Sequence, residues 1–284
     1  MPDLNRRRFL TGLAVISASP VLLSARPASA APKPDLWPVW QAHDATSTTT
    51  VDHAVWTGFL SRFLKVGKDG INRLDYKGAA SGPGKAQLSG YVKALQAVKV
   101  SSMNRDEQFA YWVNLYNART VHLVLEDWPV TSIKQVRGGL FNTGPWGDKT
   151  ATVEGRKLSL DDIEHRILRP IWKDPRIQYA VNCASIGCPN LATTAYTAAN
   201  HGELMEQGAR AYINHPRGVT HLGGGRFRYS SIYKWFDEDF GGNDAGILAH
   251  FKKYAGPELQ SAFDANSLLR LTEDRYDWSL NAVG

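Results

Sequence analysis

One long apolar helix is the feature that most limits how this chain can fold. The sequence predicts it from about Asn104 to Glu126, and Asn104 and Glu107 stand at capping-box spacing, in which each side chain satisfies a free amide of the first turn. Apolar residues recur along it at helical spacing, namely Phe109, Trp112, Val113, Tyr116, Leu123 and Val124. We therefore expect this stripe of the helix to be buried.

Two amide side chains lie within this apolar helix. Asn114 and Asn117 are three residues apart, so they lie on nearly one face. A buried amide without a partner costs a few kcal/mol, so each must find one. Either the two amides tie down neighbouring loops, or one of them orients a catalytic imidazole or donates to an oxyanion.

The only two cysteines, Cys183 and Cys188, lie in one stretch, residues 178–189. The apolar run at 177–181 predicts a buried strand, and Pro189 closes the turn that follows. Cys183 opens that turn, a position in which a thiol loses its proton more easily and can serve as a nucleophile. Cys188 lies further into the turn and is the more structural of the two.

A histidine precedes the cysteines on a short predicted helix. Ser159 caps this helix, which covers residues 161–168 and is expected to stop at Pro170. His165 lies at the edge of the buried face, so it is either a hydrogen-bonded structural residue or the general base for Cys183. Because chain order does not decide a triad, the orienting group is left open. The candidates are Glu107, Asn114 and Asn117.

Three other interpretations of the cysteines stay open. A disulfide between Cys183 and Cys188 would close a small loop and stabilise the fold modestly. A redox couple is less indicated, because the spacing is wider than Cys-x-x-Cys. A zinc site would need a histidine with both thiolates, yet the sequence has no His-x-x-His or second cysteine pair to support one. We expect neither a metal nor a cofactor.

The first thirty residues have the pattern of an export signal. Residues 5–11 carry a twin-arginine motif, and Ala28-Ser29-Ala30 offers a small-x-small cleavage site before Ala31. The apolar run between them is too short and broken for a stable membrane span. We predict export by the twin-arginine machinery to the periplasm or beyond, with residues 31–50 as a flexible leader.

Charge and composition describe an ordinary globular protein. The chain has 33 Lys+Arg and 27 Asp+Glu, a net charge of +6. Without the four arginines and one aspartate of the signal, 29 basic and 26 acidic residues remain, a net charge near +3. No basic run indicates nucleic-acid binding, so a small-molecule or peptide substrate is the expected partner.

The remaining patterns predict an α+β fold. Hairpins are expected at 149–158, turning at Glu154-Gly155, and at 219–230, and a last strand at 268–271. Helices alternate with these strands, for example at 202–212. With no internal linker, residues 51–284 are predicted to form a single domain with helices packed on a mainly antiparallel sheet.

Several motifs together resemble a known family. They are residues 109–118 (FAYWVNLYNA), 160–170 (LDDIEHRILRP), 174–177 (DPRI), 182–185 (NCAS) with Cys188-Pro189, and 276–281 (YDWSLN). Across residues 50–281 the chain resembles the domain of unknown function 547 family. The resemblance implies no established activity. We expect of such a protein a papain-like, permuted thiol-hydrolase fold, although His165 is predicted on a helix and papain-like enzymes carry theirs on a strand.

Two functions follow as hypotheses. The first is an exported thiol-dependent hydrolase or transferase of papain-like type, acting on an amide, peptide or small thiol compound. Cys183 would be its nucleophile and His165 its base, oriented by Glu107 or Asn117. The second is a non-catalytic periplasmic binding or scaffold domain with a Cys183–Cys188 disulfide.

Overall fold

A computed structural model describes residues 31–137 and 143–284, so the predicted export signal at 1–30 lies outside the described residues. Within the described residues the helices are α1 (Ala54–Phe63), α2 (Tyr76–Ser81), α3 (Gly84–Gln96), α4 (Arg105–Glu126), α5 (Arg169–Trp172), α6 (Ile177–Ala180), α7 (His201–Ile213), α8 (Ile232–Trp235), α9 (Asp244–Tyr254) and α10 (Pro257–Asp264). A π-helix, Asp162–Leu168, directly precedes α5. The strands are β1 (Leu64–Val66), β2 (Asn72–Leu74), β3 (Ala151–Val153), β4 (Arg156–Leu158), β5 (Val219–His221), β6 (Arg226–Ser230) and β7 (Arg270–Arg275).

The long helix α4 is present and is buried more completely than its apolar stripe predicts. Asn104 caps it, since its side-chain oxygen accepts from the backbone N–H of Glu107 at 3.0 Å. Every residue from Glu107 to Leu125 is buried. The reason is that α2, α3, α7 and the π-helix all pack against α4, so the polar residues between the apolar ones are enclosed as well.

The α+β class is confirmed, but the strands do not form one sheet. Within the described residues they make three small sheets. β1 pairs with β2, β3 with β4, and β5 with β6, all antiparallel, and β7 joins β6 in parallel. The first predicted hairpin turns at Glu154-Gly155, where both residues have positive φ, and the second is β5–β6. The last strand begins at Arg270, two residues after the predicted start.

The prediction of a strand at 177–181 is wrong. Ile177–Ala180 is a single turn of helix, α6, and the chain becomes extended only at Val181. Ile177 and Ala180 pack into one hydrophobic cluster and Tyr179 into another, so all sides of this turn are buried. An unbroken apolar run marks burial on all sides, and a buried helical turn produces that pattern as readily as a buried strand.

Pro170 does not end the helix that carries His165, contrary to the prediction. Pro170 lacks the N–H that would pair with a carbonyl one turn earlier. The carbonyls of His165 and Arg166 accept instead from the backbone N–H groups of Asp35 and Trp37, at 2.9 and 3.0 Å. With those carbonyls satisfied from outside, the helix continues to the end of α5.

These bonds involve the strap, which we define as residues 31–41. The strap was expected to be part of a flexible leader, yet it packs on the domain. Trp40 is buried and stands edge-on to Trp112 of α4, with ring centroids 5.1 Å apart. Arg166 lies over the ring of Trp37, 4.5 Å from its centroid. The prediction of a loose segment therefore fails for the strap.

The hydrophobic interior consists of two clusters. The first surrounds α1 to α4 and the second surrounds β5, β6 and α8 to α10. Residues of α6 and α7 contribute to both, which places the start of the cysteine stretch where the clusters adjoin. No helix in the part of the chain that the structure describes is long and apolar enough to cross a bilayer.

Candidate active site around Cys183

Asn117 of α4 holds the chain immediately before Cys183. Its amide nitrogen donates to the carbonyl of Ala180 at 2.8 Å, and its oxygen accepts from the N–H of Asn182 at 2.8 Å. Asn114 binds both backbone groups of Tyr196 in the same way, at 2.8 and 3.0 Å. The interpretation that the two amides tie down neighbouring loops is confirmed. Each amide is committed to backbone, so neither orients His165.

The cysteine turn, residues 182–189, is built around a strained residue. Ala184, directly after Cys183, has φ of +58°, in the left-handed region that costs a non-glycine residue about 1–2 kcal/mol. Asn182 supports this conformation, because its side chain accepts from the N–H of Ala184 at 2.9 Å and donates to the carbonyl of Pro189 at 2.7 Å. The Asn182 side chain therefore fixes both ends of the turn by hydrogen bonds.

The C-terminal segment docks on the cysteine turn. The N–H of Ile186 donates to the carbonyl of Ser279, and that of Gly187 to the carbonyl of Asp277, both at 2.8 Å. A Cβ at position 187 would lie 2.7 Å from the backbone nitrogen of Asp277, so only glycine permits this approach. The docking brings Tyr276 to the thiol.

Cys183 is surrounded by hydroxyl groups. Its Sγ lies 2.8 Å from the hydroxyl of Tyr276 and 3.1 Å from Oγ of Ser185, and those two oxygens are 2.8 Å apart. The sequence reasoning missed both hydroxyl residues as site residues. Both could have been found from the sequence, because Ser185 lies in the motif 182–185 and Tyr276 in the motif 276–281 of the family resemblance.

The two cysteines are free thiols in the structure, and they differ in character. The N–H of Cys183 donates to Sγ of Cys188 at 3.1 Å. Burial opposes ionisation of Cys183, but hydrogen bonds from Cys188, Ser185 and Tyr276 hold the pKa of its thiol below the ordinary value. Burial, together with the contact to Cys183, raises the pKa of Cys188 well above its usual range. Cys183 is therefore the thiol suited to nucleophilic attack.

Cys183 faces a cavity of about 520 Å³. Five aromatic residues line this cavity, and we call them the aromatic wall: Trp146, Trp235, Phe236, Tyr276 and Trp278. Glu164 and His165 of the π-helix also line the cavity. A largely apolar pocket with a few polar groups is the usual form of a small-molecule site.

His165 shares the cavity with Cys183 but makes no hydrogen bond to it. Its Nδ1 lies 3.1 Å from a guanidinium nitrogen of Arg169, and its Nε2 lies 3.6 Å from a carboxylate oxygen of Asp161. The ring is only 4 % exposed. The predicted Cys183–His165 pair is thus brought to one cavity without a direct contact.

Glu164 is an acid that the sequence reasoning missed. It accepts a hydrogen bond from the hydroxyl of Tyr116 at 2.9 Å, and burial raises its pKa. In the sequence, Glu164 is one of several acids in the first turn of a predicted helix and is not distinguished from the others. Its place at the cavity depends on the π-helix and on the packing of that helix on α4.

The predicted orienting residue Glu107 is not part of this site. It lies ten residues before Asn117 on α4, about 15 Å along the helix axis, and it does not line the cavity. Within residues 31–137 and 143–284, no three His, Cys, Asp or Glu side chains are grouped closely enough to hold a metal ion.

Comparison with known proteins gives one match. No curated protein and no solved structure matches the chain, so the expected papain-like fold is not confirmed. Residues 100–213 match the family model described as protein of unknown function, DUF547. The matched segment contains α4, the π-helix and the cysteine turn, whereas Tyr276 lies beyond it. On this match, residues 100–213 belong to the DUF547 family.

Proposed function

We propose that this protein is an exported thiol-dependent hydrolase or transferase that acts on an amide, peptide or small thiol compound, with Cys183 as its nucleophile. One observation carries the proposal: the Cys183 thiol has a lowered pKa and stands among hydroxyl groups at the wall of a cavity that also holds Glu164 and His165. A nucleophile, a proton donor and an apolar binding surface are the parts that acyl transfer requires.

The proposed reaction begins when the Cys183 thiolate attacks the carbonyl carbon of the substrate. The tetrahedral intermediate collapses to a thioester on Cys183, and the leaving amine or thiol takes up a proton. Glu164 is the proposed donor, because its raised pKa keeps it protonated to higher pH than an ordinary glutamate. Water or a second nucleophile then attacks the thioester and gives its proton to the Glu164 carboxylate, which releases the acyl group and restores the starting state; His165 stands beside that carboxylate, 3.9 Å away.

Tyr276 supports the same proposal in a second way. Its hydroxyl lies 2.8 Å from Sγ of Cys183, so it is close to any oxyanion that forms on a carbonyl bound to that sulfur. Oγ of Ser185, 2.8 Å from the same hydroxyl, holds the Tyr276 side chain beside the thiol.

Acyl-enzyme trapping tests the proposal. The chain beginning at Ala31 is incubated with a panel of activated esters, thioesters and aminoacyl amides, quenched in acid and digested for mass spectrometry. We expect an acyl group on the Cys183 peptide and turnover that falls at least about a hundredfold in Cys183→Ala. Cys188→Ala keeps one thiol in the same turn and should still form the adduct. Turnover that survives in Cys183→Ala would contradict the proposal.

A second candidate is a non-catalytic periplasmic binding or scaffold domain with a Cys183–Cys188 disulfide. The observation in its favour is the 3.1 Å distance between the nitrogen of Cys183 and Sγ of Cys188, which keeps the two thiols adjacent in a compartment that allows oxidation. Protein isolated from the periplasm without reductant is treated with iodoacetamide and weighed. Alkylation that appears only after reduction supports the scaffold, and alkylation of Cys183 before reduction supports the enzyme.

A further inference from the structure

We propose that the substrate of the Cys183 site carries a carboxylate and that Lys134 binds this group at the opposite end of the aromatic wall. The inference rests on the proposed function, for which it names the substrate class. It comes from the charge and the arrangement of the residues that line the cavity.

Lys134 is the only lysine or arginine among the described lining residues of the cavity. It lies on the short 3₁₀ turn Ile133–Gln135. Ser132 connects this turn to the aromatic wall, because its Oγ accepts from the N–H of Lys134 at 3.3 Å and donates to the carbonyl of Trp278 at 2.7 Å. The lysine is therefore held at the cavity by its backbone.

The ammonium group of Lys134 lies on the face of Trp278, 3.9 Å from the ring centroid. In the described parts of the chain, no carboxylate oxygen lies within 4.0 Å of this nitrogen and no hydrogen bond to it is formed. By contrast, Arg169, next to the same cavity, is paired with Asp239 at 2.7 Å. Lys134 thus brings a positive charge to the cavity without a protein counter-ion.

The electrostatic character of the rest of the cavity agrees with an anionic ligand. Glu164 is the only carboxylic acid among the described lining residues, and burial raises its pKa, which disfavours its negative form. An anion entering this cavity is therefore attracted by the Lys134 ammonium, and the repulsion from Glu164 is reduced because its negative form is disfavoured.

The aromatic wall connects Lys134 to the thiol. The rings of Trp278 and Tyr276 have centroids 4.6 Å apart, and the Tyr276 hydroxyl reaches Sγ of Cys183 at 2.8 Å. Trp235 stacks on Trp278 with a centroid distance of 5.5 Å. A substrate that fits has a carboxylate at one end, a flat or apolar middle part against these rings, and its reacting carbonyl at Cys183.

Two alkylating reagents that differ only in charge test the inference without a known substrate. The Cys183 thiolate displaces iodide from iodoacetate and from iodoacetamide alike, so the ratio of the two rates reports how well the cavity attracts a carboxylate. We expect Lys134→Gln to lower the ratio of iodoacetate to iodoacetamide rates about fivefold at low salt. Lys134→Arg keeps the charge and should keep the ratio.

Lys253 offers a matched control, because its ammonium also lies over an aromatic ring, 5.1 Å from the centroid of Tyr254, and does not line the cavity. Lys253→Gln should leave the ratio unchanged. A normal iodoacetamide rate with an unchanged ratio in Lys134→Gln would overturn the carboxylate inference and leave the proposed function intact. Failure of both reagents to alkylate Cys183 in the wild-type chain would overturn both.

Discussion

The hydroxyl oxygen of Tyr276 lies 2.8 Å from Sγ of Cys183, although the two residues are 93 positions apart in the sequence. The contact exists because the C-terminal segment pairs with the cysteine turn through backbone hydrogen bonds at Ile186 and Gly187. One of the hydrogen bonds that lower the pKa of the proposed nucleophile therefore comes from a residue outside the segment that matches the DUF547 family model. Four predictions follow from this and related contacts.

Tyr276→Phe should raise the pH at which Cys183 becomes reactive. The change removes a hydrogen bond that stabilises the thiolate and so raises the pKa of the thiol. A hydrogen bond to a charged group is worth about 1.5–3 kcal/mol, so the midpoint of the pH profile of alkylation should move up by about one to two pH units. Iodoacetamide labelling between pH 5 and 10 measures it. Tyr229→Phe, at a tyrosine that does not line the cavity, is the control, and an equal midpoint in both variants would refute this role.

Asn117→Ala and Asn114→Ala should destabilise the fold equally but differ at the active site. Each leaves two buried backbone groups without a partner, which costs about 2–5 kcal/mol of the free energy of unfolding. Only Asn117 binds the segment that leads to Cys183, so only its replacement should change the alkylation rate of Cys183. Urea unfolding and alkylation of the folded variants measure the two effects. An equal alkylation rate in both variants would show that the Asn117 clamp does not position the thiol.

Glu164→Gln should make stability less dependent on pH. Because burial raises the pKa of Glu164, the folded chain holds this proton more tightly than the unfolded chain does. The free energy of unfolding of the wild type should therefore fall as pH rises above about 4.3, the ordinary glutamate value. Glu164→Gln lacks this loss, so it should match the wild type near pH 4 and exceed it at pH 8, as urea unfolding at each pH will show.

Asp162, on the same π-helix, is the control, because its pKa is shifted in the opposite direction to that of Glu164. Burial opposes its ionisation, but hydrogen bonds from Lys149 and Ser159 hold its pKa below the ordinary value. The stability that it contributes is present above the unfolded pKa and is lost as pH falls through the folded one. Asp162→Asn should therefore destabilise the chain at pH 8, and the difference from the wild type should shrink as pH falls below about 3.9, the ordinary aspartate value. Parallel pH profiles for the two variants would contradict both assignments.

Removal of residues 31–37 should loosen the π-helix and open the cavity. The truncated chain loses the backbone bonds to His165 and Arg166 and the contact of Arg166 with Trp37, a loss of about 1–3 kcal/mol in the free energy of unfolding. Ala31 and Pro32 also line the cavity, so a bulky maleimide should label Cys183 faster in the truncated chain. Iodoacetamide is the control reagent, since the rate at which so small a molecule reaches Cys183 depends less on the width of the opening. Unchanged stability together with an unchanged maleimide rate would show that the strap is not part of the site.

Features set by neighbouring residues could be predicted from the sequence. The cap of α4 at Asn104 depends on a three-residue spacing, and the turn at Glu154-Gly155 depends on residues that tolerate positive φ. The concentration of both thiols in one turn is likewise visible in the sequence.

Features that depend on distant contacts could not be predicted. The apolar run at 177–181 indicates burial, but whether it forms a strand or the helical turn α6 was decided by two clusters that enclose it. The helix passes Pro170, and the strap supplies the N–H donors that the carbonyls of His165 and Arg166 then need. Periodicity and breaker residues describe local preference, and such preference yields when tertiary contacts satisfy the backbone by another route.

The sequence by itself determined the α+β class, the long helix at its centre, the resemblance to the DUF547 family and the placement of both thiols in one turn. The tertiary structure decided what surrounds that thiol: Tyr276 and Ser185 beside it, Glu164 and His165 across the cavity, and Lys134 at the far end of the aromatic wall. The reason is physical. A cap or a turn is made by residues a few positions apart, whereas the pKa of a thiol is set by whichever groups the fold brings within hydrogen-bonding distance, and one of those at Cys183, the Tyr276 hydroxyl, comes from 93 residues away.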